Sequence, residues 1–217
     1  GRQLRQRERQ ALELQTRLTQ AQLDTLKLQL QPHFLFNALN AVSTLLHRDP
    51  EKADEMIGHI STLLRAVLDE KNTHEVPLKR ELDLLGAYIR IEQVRFGDRI
   101  QFEQQIPSEC LQAKLPTLLL QPLIENAVRH GIEPLGKAGH IWLTVEKRDE
   151  RLHIRIEDNG VGRNGSNHRG WGIGRLSNAE SRLEALYGAD GYQMLLSDRK
   201  AGGTSLAIEL PFHREQT

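Results

Sequence analysis

The 217-residue chain holds one cysteine (Cys110), few aromatic residues (5%) and no net charge. A single cysteine excludes an intramolecular disulfide and any multi-cysteine zinc site. It fits a reducing compartment, with an ordinary, partly buried thiol expected. Lys+Arg and Asp+Glu both number 29. That balance argues against a nucleic-acid or anionic-membrane binder driven by bulk charge. The aromatics are too sparse for a base-stacking platform. No apolar run approaches the ~20 residues of a membrane span, and no signal peptide is evident. The chain opens Gly1-Arg2 without Met, so a fragment or processed form is expected, and the missing span then says nothing of a longer protein. What is present is globular in composition, with 27% charged and 38% hydrophobic residues. The length suits one large domain or two small ones.

Residues 1 to about 71 read as two helices. Ala11, Leu14, Leu18, Ala21, Thr25 and Leu28 step by three and four, and the register continues through Pro32 to Leu35, Leu39, Val42 and Leu46. This is a heptad seam. A helix of roughly 45 residues would exceed about 60 Å, too long to fold back on a small core, so a coiled-coil dimer is expected to bury the seam. Asp49-Pro50 marks a new helix start. The second helix carries Ala53, Ile57, Ile60, Leu64, Val67 and Leu68 on one side. The expectation is a helical hairpin whose seams meet in a homodimeric four-helix bundle.

From about residue 76 the texture changes. Leu78 to Phe96 reads as a helix with Leu82, Leu85 and Ile89 on one face, and Ile100, Phe102 and Ile106 suggest a strand. Leu118 to His130 reads as helical. Ile141, Leu143 and Val145 alternate, as do Leu152, Ile154 and Ile156, with a hairpin turn at 149–151. Ser177 to Tyr187 is a helix with the stripe Leu176, Ala179, Leu183 and Leu186. Tyr192, Met194 and Leu196, then Leu206, Ile208 and Leu210, make two final strands around Gly202-Gly203. Helices mixed with mostly hairpin-linked strands give an α+β sandwich, a sheet covered on one face by helices.

Five clusters are candidates for chemistry. His33 follows Pro32 on a stripe off the heptad seam (Leu23, Leu26, Leu30, His33, Asn37, Asn40, Thr44) that turns polar at the histidine. It is expected to face outward with Asn37 one turn on. Pro32 removes the N–H that would bond the Leu28 carbonyl and loosens the helix there. An exposed imidazole at a weak point suits a phosphoacceptor; a surface histidine in a kinked coiled coil is the alternative. In Glu125-Asn126-Ala127-Val128-Arg129-His130-Gly131, Asn126 and His130 are four apart on a helix. The Asn126 carbonyl oxygen suits Mg²⁺, Arg129 and His130 suit phosphate oxygens, and Glu125 suits a base or acceptor; a plain polar helix face is the alternative.

Asp158-Asn159-Gly160-Val161-Gly162 follows a strand whose alternation puts Asp158 on the core face with Leu152, Ile154 and Ile156. A carboxylate there needs a partner, which an adenine amino group would supply, and Gly160 and Gly162 let backbone approach a ligand. A strand-end turn is the alternative. Gly170-Trp171-Gly172-Ile173-Gly174 opens a helix, a backbone device for phosphate, although no upstream parallel βα unit supports a dinucleotide fold or a P-loop. Residues 163–169 have the polar character of a lid. Gly202-Gly203-Thr204 forms the last turn.

In order and spacing, Asn126, Asp158-x-Gly160-x-Gly162, Gly170-x-Gly172-x-Gly174 and Gly202-Gly203-Thr204 resemble the nucleotide-binding boxes of the GHKL (Bergerat-type) ATP-binding fold. That fold is shared by histidine kinases, Hsp90, MutL and type II topoisomerases. Gln31-Pro32-His33-Phe34-Leu35-Phe36-Asn37 and Leu120-Gln121-Pro122-Leu123-Ile124-Glu125-Asn126-Ala127 resemble the LytS/YehU-type sensor histidine kinases. The resemblance runs from about Leu26 onward.

It implies a coiled coil and dimerisation/histidine phosphotransfer hairpin over 1–72 and a catalytic ATP-binding domain over 76–217. His33 would be the phosphoacceptor and Asn126 would hold Mg²⁺ against the ATP phosphates. Asp158 would accept from adenine. Gly160, Gly162, Gly170, Gly172 and Gly174 would frame nucleotide and lid. Glu125, Arg129 and His130 would lie along the phosphates, and Gly203 and Thr204 would close the adenine side. The commoner histidine kinases carry an acidic residue directly after the phosphoacceptor. Here that residue is Phe34, which leaves Glu125 and Asn37 as candidate bases. The implied partners are a response regulator, possibly of LytTR type, and a second copy of the chain, with no direct nucleic acid. The implied location is the cytoplasmic side of a bacterial inner or plasma membrane, reached only through an absent N-terminal sensor region. A GHKL ATPase, or a nucleotide-sensing dimerisation module without autokinase activity, is the alternative. Transfer within one chain or between two stays open.

Overall fold

The computed structural model describes residues 32–69, 74–162 and 173–214. The coiled coil expected over residues 1–31 lies outside them. Helix α1 (Pro32–Leu46) and helix α2 (Pro50–Asp69) form a hairpin. Asp49 caps α2: its side chain accepts from the Lys52 N–H at 3.1 Å, and its carbonyl accepts from the Ala53 N–H. Pro50 sits at the first helical position, where its missing N–H costs nothing.

The hairpin buries a stripe that overlaps the expected seam at Val42, Ala53 and Ile60 and leaves the rest of it, among the described residues, partly or wholly exposed. Phe34, Ala38 and Val42 on α1 meet Ala53, Met56, Ile60, Leu63 and Ala66 on α2 in the core, while Leu39, Leu46 and Ile57 are exposed. The apolar surface of each helix is wider than the fold of one chain buries, leaving Leu39, Leu46 and Ile57 uncovered.

Strand β1 (Glu75–Pro77) leads into helix α3 (Leu78–Phe96), a 3₁₀ turn and strand β2 (Ile100–Gln105). Strand β3 (Lys114–Pro116) pairs antiparallel with β1. Helix α4 (Leu120–Asn126) runs into one π-helical turn (Ala127–Ile132). Strands β4 (Gly139–Arg148) and β5 (Arg151–Asp158) form a hairpin around Asp149, at φ 52. Helix α5 (Ile173–Tyr187), strand β6 (Gln193–Asp198) and strand β7 (Thr204–Pro211) complete the described chain.

The main sheet has the order β2-β4-β5-β7-β6. Its β2–β4 pair is parallel and the rest antiparallel. Local alternation points to hairpins and is blind to this crossover, which carries β3 and α4 between its two strands. One face of the sheet is apolar: Ile141, Leu143, Val145, Leu152, Ile154, Ile156, Leu206, Ile208 and Leu210 are all buried, with Leu123 and Ile124 of α4 and Leu183 of α5 in the same core. The other face, with Thr144, Arg155 and Glu209, reaches solvent. This is the expected one-sided α+β layering.

Helix α3 is buried on more than the single expected face, because it is sandwiched. It packs on α1 and α2 on one side and on α4 on the other, so Tyr88, Ile91 and Glu92 are buried along with Leu85 and Ile89. Cys110 is fully rather than partly buried, and burial pushes its thiol up. On α5, Leu186 is about a third exposed rather than buried. Tyr187 is instead packed against the core, and its hydroxyl donates to Glu75 Oε1 at 2.6 Å.

Candidate functional site

The start of α4 is built by a buried carboxylate. Leu118 adopts φ 56, and the N–H groups of Leu118 and Leu120 donate to Glu81 Oε1 and Oε2 at 2.7 and 3.0 Å. Arg182 Nη1 donates to the Thr117 carbonyl at 2.7 Å from α5. Burial pushes the Glu81 carboxyl up to about 7 against the pull of those N–H groups. The helix therefore starts at Leu120 rather than Leu118, anchored on both sides.

Past Asn126 the helix widens. The π turn breaks the four-residue spacing expected between Asn126 and His130, since one extra residue is accommodated per turn. Asn126 is buried, Arg129 is exposed and His130 half-buried. The turn carries Gly131 to the end of β5. A side chain added at Gly131 would lie 2.8 Å from Asp158 Oδ1, and one added at Gly160 would strike the Gly131 carbonyl. The Val161 N–H donates to that carbonyl at 3.1 Å. Asp158 is fully buried, and its Oδ1 accepts from the Gly160 N–H at 2.8 Å. On the far side Gly203, at φ 90, has no room for a side chain because the Asp158 carbonyl and Asn159 Cα occupy it. Gly162 also has positive φ, and a side chain there would meet Asp198 Oδ1 and the Gly203 carbonyl in ordinary contact. The structure thus brings Asp158, Gly160, Gly162, Gly203 and Thr204 together, with Gly131 beside them.

Three buried polar atoms suit a bound polar ligand. Asn126 Oδ1, Asn126 Nδ2 and Thr204 Oγ1 have no hydrogen-bond partner among the described residues. Each costs about 1–3 kcal/mol if left unmade, and a bound polar group would remove that cost. A neutral amide oxygen is a hard donor that suits Mg²⁺ sharing phosphate oxygens. A buried carboxylate at a strand end suits an exocyclic amine.

Glu125 points elsewhere. It lines a small cavity with Phe34, Tyr88, Val128 and Arg129, where α1 meets α3 and α4. Gln121 Nε2 donates to Glu125 Oε2 at 3.2 Å. Beside it, Arg95 bridges Glu92 Oε2 at 3.4 Å and Glu133 Oε1 at 3.0 Å. Burial pushes Glu92 up to about 7, with Arg95 opposing and the Glu125 and Glu133 charges adding to the rise. The Phe34 ring meets Tyr88 with centroids 5.3 Å apart. His33 lies in the first turn of α1, and its side chain is outside the described residues, as are Gly170 and Gly172. Gly174 falls in the first turn of α5, and Asn37 is half-buried on α1.

Several contributors escape sequence reasoning. Arg199 donates from Nε to Glu157 at 3.2 Å, and its guanidinium lies 4.5 Å from the Trp142 ring centre. Trp142 stacks on His140 at 4.2 Å, and the His140 N–H donates to Asn159 Oδ1 at 2.7 Å. Apart from Asn159, none of these sits in a motif. Gly131 was legible only as the glycine closing the Asn126 cluster.

Two family models match the chain: histidine kinase over residues 21–100, and the histidine kinase-, DNA gyrase B- and HSP90-like ATPase over residues 112–214. Sensor histidine kinase BtsS of Escherichia coli K12 is 34% identical over 91% of this chain and 35% of its own length. Sensor histidine kinase YpdA of the same strain is 34% identical over 94% of this chain and 36% of its own. Sensor protein LytS of Enterococcus faecalis is 29% identical over 92% of this chain and 35% of its own. The chain spans about a third of the length of these relatives.

Proposed function

The chain belongs to the LytS/YehU-type histidine kinases, and from that premise we propose that it is the kinase core of a two-component sensor, moving the γ-phosphoryl group of ATP to His33 and then to an aspartate of a response regulator. The observation that carries this reading is the buried Asn126 amide, with neither of its polar atoms satisfied among the described residues, on the helix that leads directly into the Gly131–Asp158–Gly160 contact.

In this reading Asp158 accepts from the adenine amino group and Thr204 completes that side. Gly160, Gly162 and Gly203 let backbone approach the nucleotide, and by the resemblance Gly170, Gly172 and Gly174 would frame the nucleotide and the lid. Asn126 holds Mg²⁺, which when bound neutralises phosphate charge. Arg129 and His130 face the phosphates, and Glu125 orients the imidazole or takes its proton, with Asn37 supporting it from α1. The lone pair of His33 Nε2 forms the new N–P bond. The bond from the γ-phosphorus to the bridging oxygen breaks, and its electron pair leaves with ADP. The imidazole proton is released as the phosphohistidine forms. For a loose phosphoryl transition state the protein contributes mainly positioning and charge.

Exposed Phe36, Leu39, Leu46 and Ile57 on the hairpin support a homodimer that buries this uncovered apolar surface. Among the described residues no helix is long and apolar enough to cross a membrane. Membrane attachment through a preceding sensor region is part of the proposal, and so is a LytTR-type regulator.

The test is incubation with γ-labelled ATP and Mg²⁺. Acid-labile, alkali-stable label on the wild type, absent from His33→Gln and Asn126→Ala, is the expected result. ATP hydrolysis without label, unchanged in His33→Gln, would establish a GHKL ATPase instead.

A further inference from the structure

The residue after His33 is an aromatic one, and it is not idle. Phe34 is only 6% exposed although it lies in the first turn of a two-helix hairpin. Its ring packs on Tyr88 of α3, itself 1% exposed, at 5.3 Å and 36°. The same small cavity is lined by Glu125, which directly precedes Asn126, and Arg129, three residues after it. All of these belong to one chain. Arg90 of α3 also approaches Glu55 of α2 to 3.6 Å in an exposed ion pair, which is consistent with the same docking but adds little to it.

We infer that Phe34 is the anchor that seats the histidine-bearing helix on its own chain's ATP-binding body, so that phosphoryl transfer to His33 runs within one chain. This rests on the kinase reading above. Where the commoner histidine kinases place an acid, this chain places a hydrophobic plug. The plug fixes helix α1 at the wall that carries Glu125 and Arg129, one residue from His33. An aromatic pair of this kind contributes beyond its buried area, and for an in-line transfer a small misplacement is costly. Phe34 is a positioning residue: it touches neither nucleotide nor the reacting atoms.

Two arms test this. In the first, differently tagged chains are co-expressed and mixed dimers isolated through both tags. His33→Gln paired with Asn126→Ala is expected to stay unlabelled, because no single chain holds both donor and acceptor sites. Wild type paired with the His33→Gln/Asn126→Ala double variant is expected to label its wild-type chain at close to half the wild-type dimer's rate. The opposite pattern, label in the first pair and none in the second, overturns the inference while leaving the kinase reading intact. Should the chain run as a monomer, labelling per mole independent of concentration supports it, and labelling proportional to concentration overturns it. Absence of label from the wild type overturns the kinase reading itself, and this inference with it.

In the second arm Phe34→Ala is expected to slow labelling at least tenfold with nucleotide affinity changed less than twofold, and Phe34→Tyr to restore most of the rate. Equal losses in rate and nucleotide affinity would reduce Phe34 to a core residue. Faster labelling would make the contact an inhibitory clamp. Either result overturns the assignment.

Discussion

Arg199 Nη1 donates a hydrogen bond to the Asp158 carbonyl at 3.1 Å. The same residue closes the β6–β7 turn through its backbone: its N–H donates to the Gly203 carbonyl and its carbonyl accepts from the Gly202 N–H, both at 3.0 Å. One side chain, flattened on Trp142 and paired with Glu157, therefore joins the end of β5 to the turn that precedes Thr204. Asp158 is held from its own backbone, and its carboxylate is aimed by what grips that backbone.

Removing the grip is expected to weaken nucleotide binding more than it weakens the fold. Arg199→Ala should raise the nucleotide Kd about tenfold, or about 1.4 kcal/mol, measured by titration calorimetry. Arg199→Lys should recover only part of this, because a point charge cannot reproduce a planar fork that bonds two acceptors and stacks on an indole. A Kd unchanged in the alanine variant would show that Asp158 is positioned without Arg199.

The two glycines of the last turn should separate cleanly. Gly202 and Gly203 have nearly the same φ, 91 and 90, so an alanine at either pays the left-handed penalty of about 1–2 kcal/mol. Only at Gly203 does the new methyl collide with the Asp158 carbonyl, whereas at Gly202 it meets nothing. Gly202→Ala is expected to lower the unfolding free energy by that penalty and leave nucleotide affinity alone. Gly203→Ala should abolish binding and cost at least twice as much stability. Equal effects would mean that backbone strain, not contact, decides the turn.

What the sequence made legible follows the range of the forces involved. Strands β4, β5 and β7 announce themselves because one buried face imposes a strict two-residue period on Ile141–Val145, Leu152–Ile156 and Leu206–Leu210. Asp158 could be placed on the core face by the same count. The β2–β4 pairing could not, since nothing local in Ile100–Gln105 says which strand lies alongside. The hairpin was half legible: the apolar surface of α1 is visible, but which part of it a chain buries in itself depends on Tyr88, forty-six residues beyond Val42. Nothing in the local sequence marks Glu81 and Glu92 as buried. Their burial follows only from the sandwiching of α3 and from Leu118 and Leu120 arriving as donors. The π turn after Asn126 leaves no local pattern at all, yet it is what brings Gly131 to Asp158.

Glu92 gives a pH dependence with a definite sign. Its carboxyl rises from the ordinary 4.5 to about 7 in the folded chain, mainly through burial, with Arg95, Glu125 and Glu133 as its charged neighbours. A raised folded pKa means the folded state binds the proton more tightly. The associated stability is therefore fully present below about pH 4.5 and is lost as pH rises through about 7. Glu92→Gln removes that dependence. Between pH 5 and pH 8 the wild type is expected to lose up to about 3 kcal/mol relative to the variant, read from urea unfolding at each pH. Groups that do not interact with Glu92 cancel in the difference, so parallel stability curves would show that Glu92 stays ionised throughout.

Thr204 offers the sharpest separation of stability from function. It opens β7, is completely buried, and its hydroxyl has no partner among the described residues. Threonine to valine is nearly isosteric and keeps the β-branched shape a strand favours. Without nucleotide, Thr204→Val is expected to raise the unfolding free energy by about 1 kcal/mol, because an unsatisfied buried hydroxyl disappears. With saturating nucleotide that advantage should vanish. The lost hydrogen bond would raise the Kd about fivefold, equivalent to about 1 kcal/mol. Thermal melts of both proteins across a nucleotide titration would show the variant melting higher at zero ligand and gaining less as ligand is added. A variant that is destabilised without ligand would mean that the hydroxyl already has a protein partner. One that binds nucleotide as tightly as wild type would remove Thr204 from the site. Opposite signs in the two measurements are expected of a polar group kept unsatisfied in the fold so that a ligand can satisfy it.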